Sequence, residues 1–221
     1  MSLSQIISHL LFPEKCTLCG QLLDGAETDL CRTCRVEAPV CPGGRSKRTF
    51  LDSWNAVWYY EGNPRKSLLR YKFGRRRGYA KVYGRLLAMK LLQEHPEGFE
   101  VLTWIPVSPL RKLTRGFDQV ELLAQHVGAE LGMEPVRLLK KIRHNRPQSS
   151  ITGEAHRRAN VLGVYRVTDP MLVSGKKILL LDDIITTGAT AGEAGRILLT
   201  AGGKEVHFGA VAAARHRTKN K

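Results

Sequence analysis

The chain has 221 residues, 43% of them hydrophobic, and a formal net charge of +15 from 35 Lys and Arg against 20 Asp and Glu. That length suits one medium domain with a small module beside it, and the apolar content is ordinary for a soluble fold with a real core. No apolar run approaches membrane-spanning length, and the start lacks both a basic segment and a cleavage site. Neither a membrane span nor a secretory signal is expected, and a cytoplasmic location is.

Read in order, residues 1–12 carry Ile6, Ile7, Leu10, Leu11 and Phe12 at spacings that predict a short amphipathic helix covering the module that follows. That module holds Cys16-x-x-Cys19 and Cys31-x-x-Cys34 with eleven residues between the pairs. Two knuckles of this spacing can present four thiolates tetrahedrally, as a structural zinc site requires. Gly20 permits the tight turn, and Lys15, Arg32 and Arg35 offset the negative charge. Disulfides compete with this reading, but an odd cysteine count in a cytoplasmic chain weighs against them. No thioredoxin-like strand precedes either pair, which weighs against a redox role. Cys41 lacks a partner and reads as a remnant or a small core residue. Pro42-Gly43-Gly44 and the polar residues through Thr49 read as a linker. The expected organisation is a zinc module over residues 1–49 and a second domain over 50–221.

The second domain opens with an aromatic strand over 53–60 and a turn at Glu61-Gly62-Asn63-Pro64. Helices follow over 65–73 and 79–92, the latter marked by Val82, Leu86, Leu87 and Leu91. Between Glu61 and Glu94 there are ten Lys or Arg residues and no acid. Lys72, Arg75, Arg76 and Arg77 are the candidates here for contact with a nucleic-acid backbone, and Lys72 can also lend charge to a phosphate site. Further basic clusters lie at 137–146 and 215–221. A solvated helix face is the competing reading of each cluster. Trp54, Trp58, Tyr59, Tyr60 and Tyr71 are either core residues or platforms on which bases stack.

A strand over 101–107 runs into a proline-braced turn at Pro106 and Pro109. Arg111 and Arg115 then supply cationic forks suited to a pyrophosphate. A helix over 119–131 puts Val120, Leu123, Ala124, Val127 and Leu131 into the core. Gln148, Arg158 and Asn160 lie on a loop and short helix that close over a ligand, face a partner or merely cap the helix.

The run from Ile178 to Thr190 carries the most chemistry. Ile178, Leu179, Leu180 and Leu181 suit a buried parallel strand, so Asp182 and Asp183 emerge at its carboxyl edge, where open α/β sheets bind ligands. Thr186, Thr187, Gly188, Ala189 and Thr190 offer amides, three hydroxyls and a glycine before a helix over 191–199, a cradle for a phosphate dianion. Two acids beside that cradle repel the anion unless they bind hydroxyls or a hydrated cation. A sugar phosphate with a vicinal diol meets both demands. A last strand follows over 205–213.

This run resembles the thirteen-residue phosphoribosyl pyrophosphate (PRPP) motif of type I phosphoribosyltransferases. The resemblance implies that Asp182 and Asp183 hold the ribose hydroxyls and that Thr186 to Thr190 hold the 5′-phosphate. The four-cysteine module, Lys72-Phe73, Arg111-x-x-x-Arg115-Gly116-Phe117-Asp118-Gln119, Arg146-Pro147-Gln148 and His156-Arg157-Arg158-Ala159-Asn160-Val161 together resemble the ComF/GntX family over nearly the whole chain. Asp118 replaces the family's usual asparagine, Tyr165 its usual phenylalanine, and only Cys41 remains of a second cysteine pair. The implied fold is a type I phosphoribosyltransferase-like α/β domain, a doubly wound, mostly parallel sheet, preceded by a zinc-ribbon-like module. The implied function is Mg²⁺-dependent phosphoribosyl transfer in DNA uptake or use. Single-stranded DNA and competence or DNA-processing proteins are the implied partners. The acceptor is not identified, and no nucleobase-recognition loop follows the last strand. A PRPP sensor without group transfer, or a factor that binds single-stranded DNA or a partner, is the alternative.

Overall fold

A computed structural model of the chain describes residues 14–42, 49–143 and 154–215. The expected N-terminal helix, the Arg146-Pro147-Gln148 segment, most of the linker and the end of the basic tail lie outside the described residues, as does the Arg158 side chain. The elements run α1 (Arg32–Glu37), β1 (Ser53–Tyr59), α2 (Gly62–Phe73), α3 (Tyr79–Glu94), β2 (Val101–Trp104), α4 (Pro109–Arg115), α5 (Gln119–Leu131), β3 (Leu139–Lys141), α6 (Glu154–Val161), β4 (Tyr165–Val167), β5 (Lys177–Ile185), α7 (Ala189–Thr200) and β6 (Glu205–Ala213).

Four strands form one wholly parallel sheet in the order β1-β6-β5-β2. The central strands β5 and β6 read as unbroken apolar runs because both faces are covered. Along β5 the side chains alternate: Leu179 and Leu181 pack with α2, α3 and α5, whereas Ile178 and Leu180 pack with α7 and the β3–β4 ribbon. The same two-residue period sends Asp183 to the first face and Asp182 to the second. At the sheet's amino end, Ser53 Oγ lies 3.0 Å from His95 Nε2 and 2.8 Å from His207 Nδ1, a buried polar knot far along the strands from the acid pair.

Helix α3 crosses α5 closely at Gly84, where a Cβ would meet His126 Cβ at 2.5 Å. That contact lets α3 and α5 cover one face as a tight pair. Tyr71, Tyr83 and Trp58 fill the space beneath in edge-to-face contacts at 5.4 and 6.3 Å. Trp58 and Tyr71 are therefore core residues, 3% and 0% exposed, and the stacking role open to them in the sequence falls away.

The cysteine module is built onto this same core. Cys16, Leu18, Leu30, Cys31 and Cys34 are buried in one cluster with Trp58, Tyr71 and Tyr83. Ser67 and Arg70 of α2 donate to the carbonyls of Thr17 and Leu18. Residues 39–41 run antiparallel along the free edge of β1, with Tyr59 N donating to Pro39 O at 2.7 Å and Cys41 N to Val57 O at 3.0 Å. Cys41 is 1% exposed in the core of the other sheet face, as a small core residue should be.

Three local expectations need correction. The second strand ends at Trp104, not residue 107, because Pro106 cannot donate to the ladder. The turn expected to follow is the helix α4, opened by Ser108, whose hydroxyl accepts from Arg111 N, and closed by Gly116 in the left-handed conformation. The strand carrying the acids does not end with them but runs on to Ile185. The β3–β4 ribbon, antiparallel and three residues a strand, had no reading of its own: its strands are too short for a period to show. No helix among the described residues is long and apolar enough to cross a membrane.

Candidate functional site

Two sites assemble, one of thiols and one at the carboxyl edge of the sheet. In the first, the Sγ atoms of Cys16, Cys19, Cys31 and Cys34 all lie within 4.8 Å of one another. Cys16 and Cys19 sit on a knuckle closed by Gly20 N donating to Cys16 O. Cys31 is the N-cap of α1 and Cys34 lies in its first turn. Cys19 and Cys31 are 3.7 Å apart, close to the roughly 3.8 Å edge of a tetrahedron with metal–sulfur arms of about 2.3 Å. Burial and the neighbouring thiols push Cys19 and Cys34 up, whereas backbone hydrogen bonds outweigh the burial of Cys16 and bring it down to about 7. Four thiols so close together form a donor set that could hold a metal ion. Asn63 of α2 donates to Cys34 Sγ at 3.6 Å, and Arg35 braces the second knuckle through the carbonyls of Thr28 and Leu30.

In the second, a shallow cleft is lined by Asp182, Ile184, Ile185, Thr186, Thr187, Gly188, Ala189, Thr190 and Ala191. The sequence reading assembles here as one loop. Gly188 stands at φ 81°, a conformation side chains with a Cβ rarely adopt, and turns the chain from β5 into α7. The N-cap Gly188 has no side chain with which to cap α7, and Thr187 Oγ1 accepts only from Ala189 N, at 3.4 Å, while Ala189, Thr190 and Ala191 of the first turn line the cleft.

The acid pair divides between the two faces. Asp182 lines the cleft, and burial together with the neighbouring Asp183 pushes its carboxyl well above the usual carboxylate range. Asp183 is 5% exposed on the opposite face. Its Oδ1 lies 2.9 Å from Lys72 Nζ, and its Oδ2 accepts from Gln119 Nε2 at 3.0 Å. Tyr71 beneath donates to the Gln119 carbonyl at 2.6 Å. Lys72, read chiefly as a nucleic-acid contact, is therefore an internal partner of the acid pair. Gln119 is a site residue that the sequence reading left unassigned. It followed directly on a recognisable Arg-Gly-Phe-Asp segment, but helix period alone places position 119 no better than its neighbours.

Asp118 shows why an acid is tolerated where the family usually carries asparagine. Its Oδ1 accepts from Val120 N and Glu121 N, and its Oδ2 from Val107 N at 3.3 Å. Both oxygens accept, which an amide nitrogen cannot do. Burial still raises its pKa. This residue caps α5 and fastens the β2–α4 turn.

Arg111 and Arg115 stand on α4, which follows the carboxyl end of β2. Arg115 lies over Phe73 at 5.0 Å. Burial, then Arg111, disfavours its charge while Asp183, Asp118 and Asp182 support it. Arg75, Arg76 and Arg77 form the exposed link between α2 and α3, with Arg77 anchored to Gly116 O at 2.8 Å and lying over Phe117 at 5.1 Å.

Residues 113–221 match the phosphoribosyl transferase domain family, a span that contains the whole cleft. The chain is 32% identical to competence protein ComFC of Streptococcus pneumoniae over 228 residues, covering 87% of this chain and 96% of that one. It is 28% identical to the DNA utilization protein YhgH of Salmonella typhimurium, covering 86% of each. Among solved structures, glutamine PRPP amidotransferase from B. subtilis is 22% identical with a TM-score of 0.41, covering 63% of this chain and 30% of that one. With a ComFC relative aligned over most of both chains, a phosphoribosyl transferase domain over the cleft and a four-thiol cluster in front of it, the chain belongs to the ComF family of competence-associated, phosphoribosyltransferase-like proteins.

Proposed function

We propose that the chain binds PRPP with Mg²⁺ at the carboxyl edge of its sheet and transfers the phosphoribosyl group in the service of DNA uptake or use. The observation that carries this reading is the start of α7 behind the left-handed Gly188, whose first turn lines a cleft together with Asp182. The amides of that turn fit a 5′-phosphate, and Asp182 fits the vicinal hydroxyls. Asp183 joins it there once its contacts with Lys72 and Gln119 rearrange. Arg111 and Arg115 hold the pyrophosphate from α4. In the transfer, an acceptor's lone pair forms the bond to C1′ as the C1′–oxygen bond breaks, and the electron pair leaves on pyrophosphate. The protein's part is to fix the ribose and receive the charge of the leaving group. Bound magnesium supplies charge neutralisation on the phosphate oxygens. The four cysteines suit structural zinc, whose preferred geometry and sulfur ligands match their spacing.

Calorimetric titration with PRPP and Mg²⁺ tests the site. Wild type is expected to bind saturably, and Asp182→Asn/Asp183→Asn to lose binding by at least about a hundredfold. Equal binding by the double variant would remove the acids from the site. A screen of acceptors for Mg²⁺-dependent pyrophosphate release then separates a transferase from a PRPP sensor.

The exposed Arg75, Arg76 and Arg77 favour a second activity beside the first, contact with single-stranded DNA. Neutralising all three to glutamine is expected to weaken oligonucleotide binding and to reduce its salt slope by about two. An unchanged slope would place any DNA contact elsewhere.

A further inference from the structure

Helix α2 stands between the thiol cluster and the acid strand and touches both. Asn63, Ser67 and Arg70, spaced by four and then three positions, form one stripe toward the cysteine module. Asn63 Nδ2 donates to Cys34 Sγ at 3.6 Å, the Ser67 hydroxyl donates to Thr17 O, and Arg70 Nη2 donates to Leu18 O at 2.5 Å and to Thr17 O at 3.4 Å. Thr17 and Leu18 are the two residues between Cys16 and Cys19, so their carbonyls keep these positions only while the knuckle is closed. Arg70 Nε is buried without a partner, which leaves those two carbonyls as the acceptors of this guanidinium among the described residues.

Lys72 lies about 200° round the helix from Arg70, because each residue turns the chain by about 100°. Its Nζ reaches Asp183 Oδ1 at 2.9 Å. Tyr71, between the two, donates to Gln119 O at 2.6 Å, and Gln119 Nε2 donates to Asp183 Oδ2 at 3.0 Å. Three consecutive residues of α2 therefore hold the first knuckle, the start of α5 and the acid strand. The chain beyond Lys72 is exposed from Phe73 to Gly78, so the position of the ammonium follows from how α2 itself is seated.

We propose that Arg70 is a positioning residue: seated on the first knuckle, it sets Lys72 and through Lys72 the carboxylate of Asp183, so that a metal at the four thiols and PRPP at the cleft bind cooperatively. This rests on the PRPP reading of the cleft and adds to it a regulation by the thiol site. The two states differ in named contacts. With the knuckle closed on a metal, Arg70 and Ser67 have their acceptors and α2 keeps its place. With the knuckle open, a part-buried guanidinium has lost both acceptors, a cost that shifting α2 relieves. A shifted α2 takes Lys72 from Asp183 and loosens the wall of Tyr71 and Gln119, and the acid loses the order from which it reaches the ribose. A ligand that needs Asp183 in place favours the closed state, and linkage requires that it tighten the metal by the same factor by which the metal tightens the ligand.

The experiment measures zinc affinity of the full chain by equilibrium competition with a chelator that does not take magnesium, with and without saturating PRPP and Mg²⁺. PRPP titration of the zinc-loaded protein runs alongside. In wild type, PRPP is expected to tighten zinc at least about fivefold. Arg70→Met should hold zinc, bind PRPP roughly five- to tenfold more weakly, and show less than about a twofold effect of PRPP on zinc. Arg85→Met is the control, because Arg85 of α3 pairs with Asp29 and braces the module without α2. It should weaken zinc and keep the PRPP effect. If Arg70→Met holds no zinc, Ser67→Ala is read by the same criterion. Metal and ligand that are linked only because both need the folded chain stay linked in Arg70→Met, and that result overturns the proposal. Loss of the effect in Arg85→Met as well overturns it too, because any loosening of the module would then suffice. If wild type binds PRPP saturably with no change in zinc affinity, the coupling is wrong and the PRPP reading stands. If wild type binds no PRPP, the PRPP reading falls and takes the coupling with it.

Discussion

Lys72→Met is expected to destabilise the protein by about 3 kcal/mol, and adding Asp183→Asn is expected to recover most of that loss. The reason lies in what each single change leaves behind. Lys72 Nζ is 2.9 Å from Asp183 Oδ1, and the two side chains are 16% and 8% exposed. Removing the cation strands a carboxylate in a wall formed by Tyr71, Gln119 and the sheet, with one amide donor remaining. Removing both charges strands nothing and keeps the volume. Urea unfolding of the four corners of the cycle measures the coupling. If Lys72→Met alone shifts the midpoint no more than an exposed lysine change such as Lys66→Met, the pair is not structural. The same variant bears on ligand binding, because it frees Asp183 for the ribose while taking away the group that orders it. PRPP affinity that rises in Lys72→Met would show that the ion pair competes with the ligand. Affinity that falls would show that it positions the acid.

Metal removal should have the larger effect of the two. Structural thiolate sites contribute on the order of 10 kcal/mol of folding free energy in small modules. Here the thiols share one buried cluster with Trp58, Tyr71 and Tyr83, so the loss is not confined to the module. Ser67 and Arg70 lose their carbonyl acceptors when the first knuckle opens, and both belong to the helix that carries Lys72. Chelation, or Cys34→Ser, is therefore expected to lower the melting temperature by more than about 10 °C and to abolish PRPP binding together with the metal. Elemental analysis should find about one zinc per chain in wild type and none in Cys34→Ser. Cys41→Ala, in a different part of the core, should keep its metal. A Cys34→Ser protein that melts as wild type does would separate the module's metal from the stability of the fold.

The chemistry of this chain was written in local runs. Four cysteines at knuckle spacing announced a four-thiol site because each pair is closed by its own turn, with the backbone of Gly20 and the first turn of α1 setting the sulfurs. The strand from Ile178, the acids and the loop through Thr190 announced the cleft for a similar reason. One strand, one left-handed glycine and one helix start build it from consecutive residues. The apolar period likewise placed α3, α5 and β6 with bounds close to those observed. Where an end depended on a cap or on sheet partners, as at α4 and the end of β2, the local pattern misjudged it.

Only the tertiary structure decided what the charged residues do. Lys72 and Arg75 lie three positions apart in one basic run and look equivalent there. Packing of α2 against β5 buries the first on Asp183, and the turn beyond leaves the second in solvent. Asp182 and Asp183 look like a matched pair, yet the period of the strand sends them to opposite faces, one to the cleft and one to Gln119. Consecutive residues can specify a loop, because its geometry is set by neighbouring dihedrals. A charge's role depends on which distant side chain shares its burial, and that is settled when the layers pack.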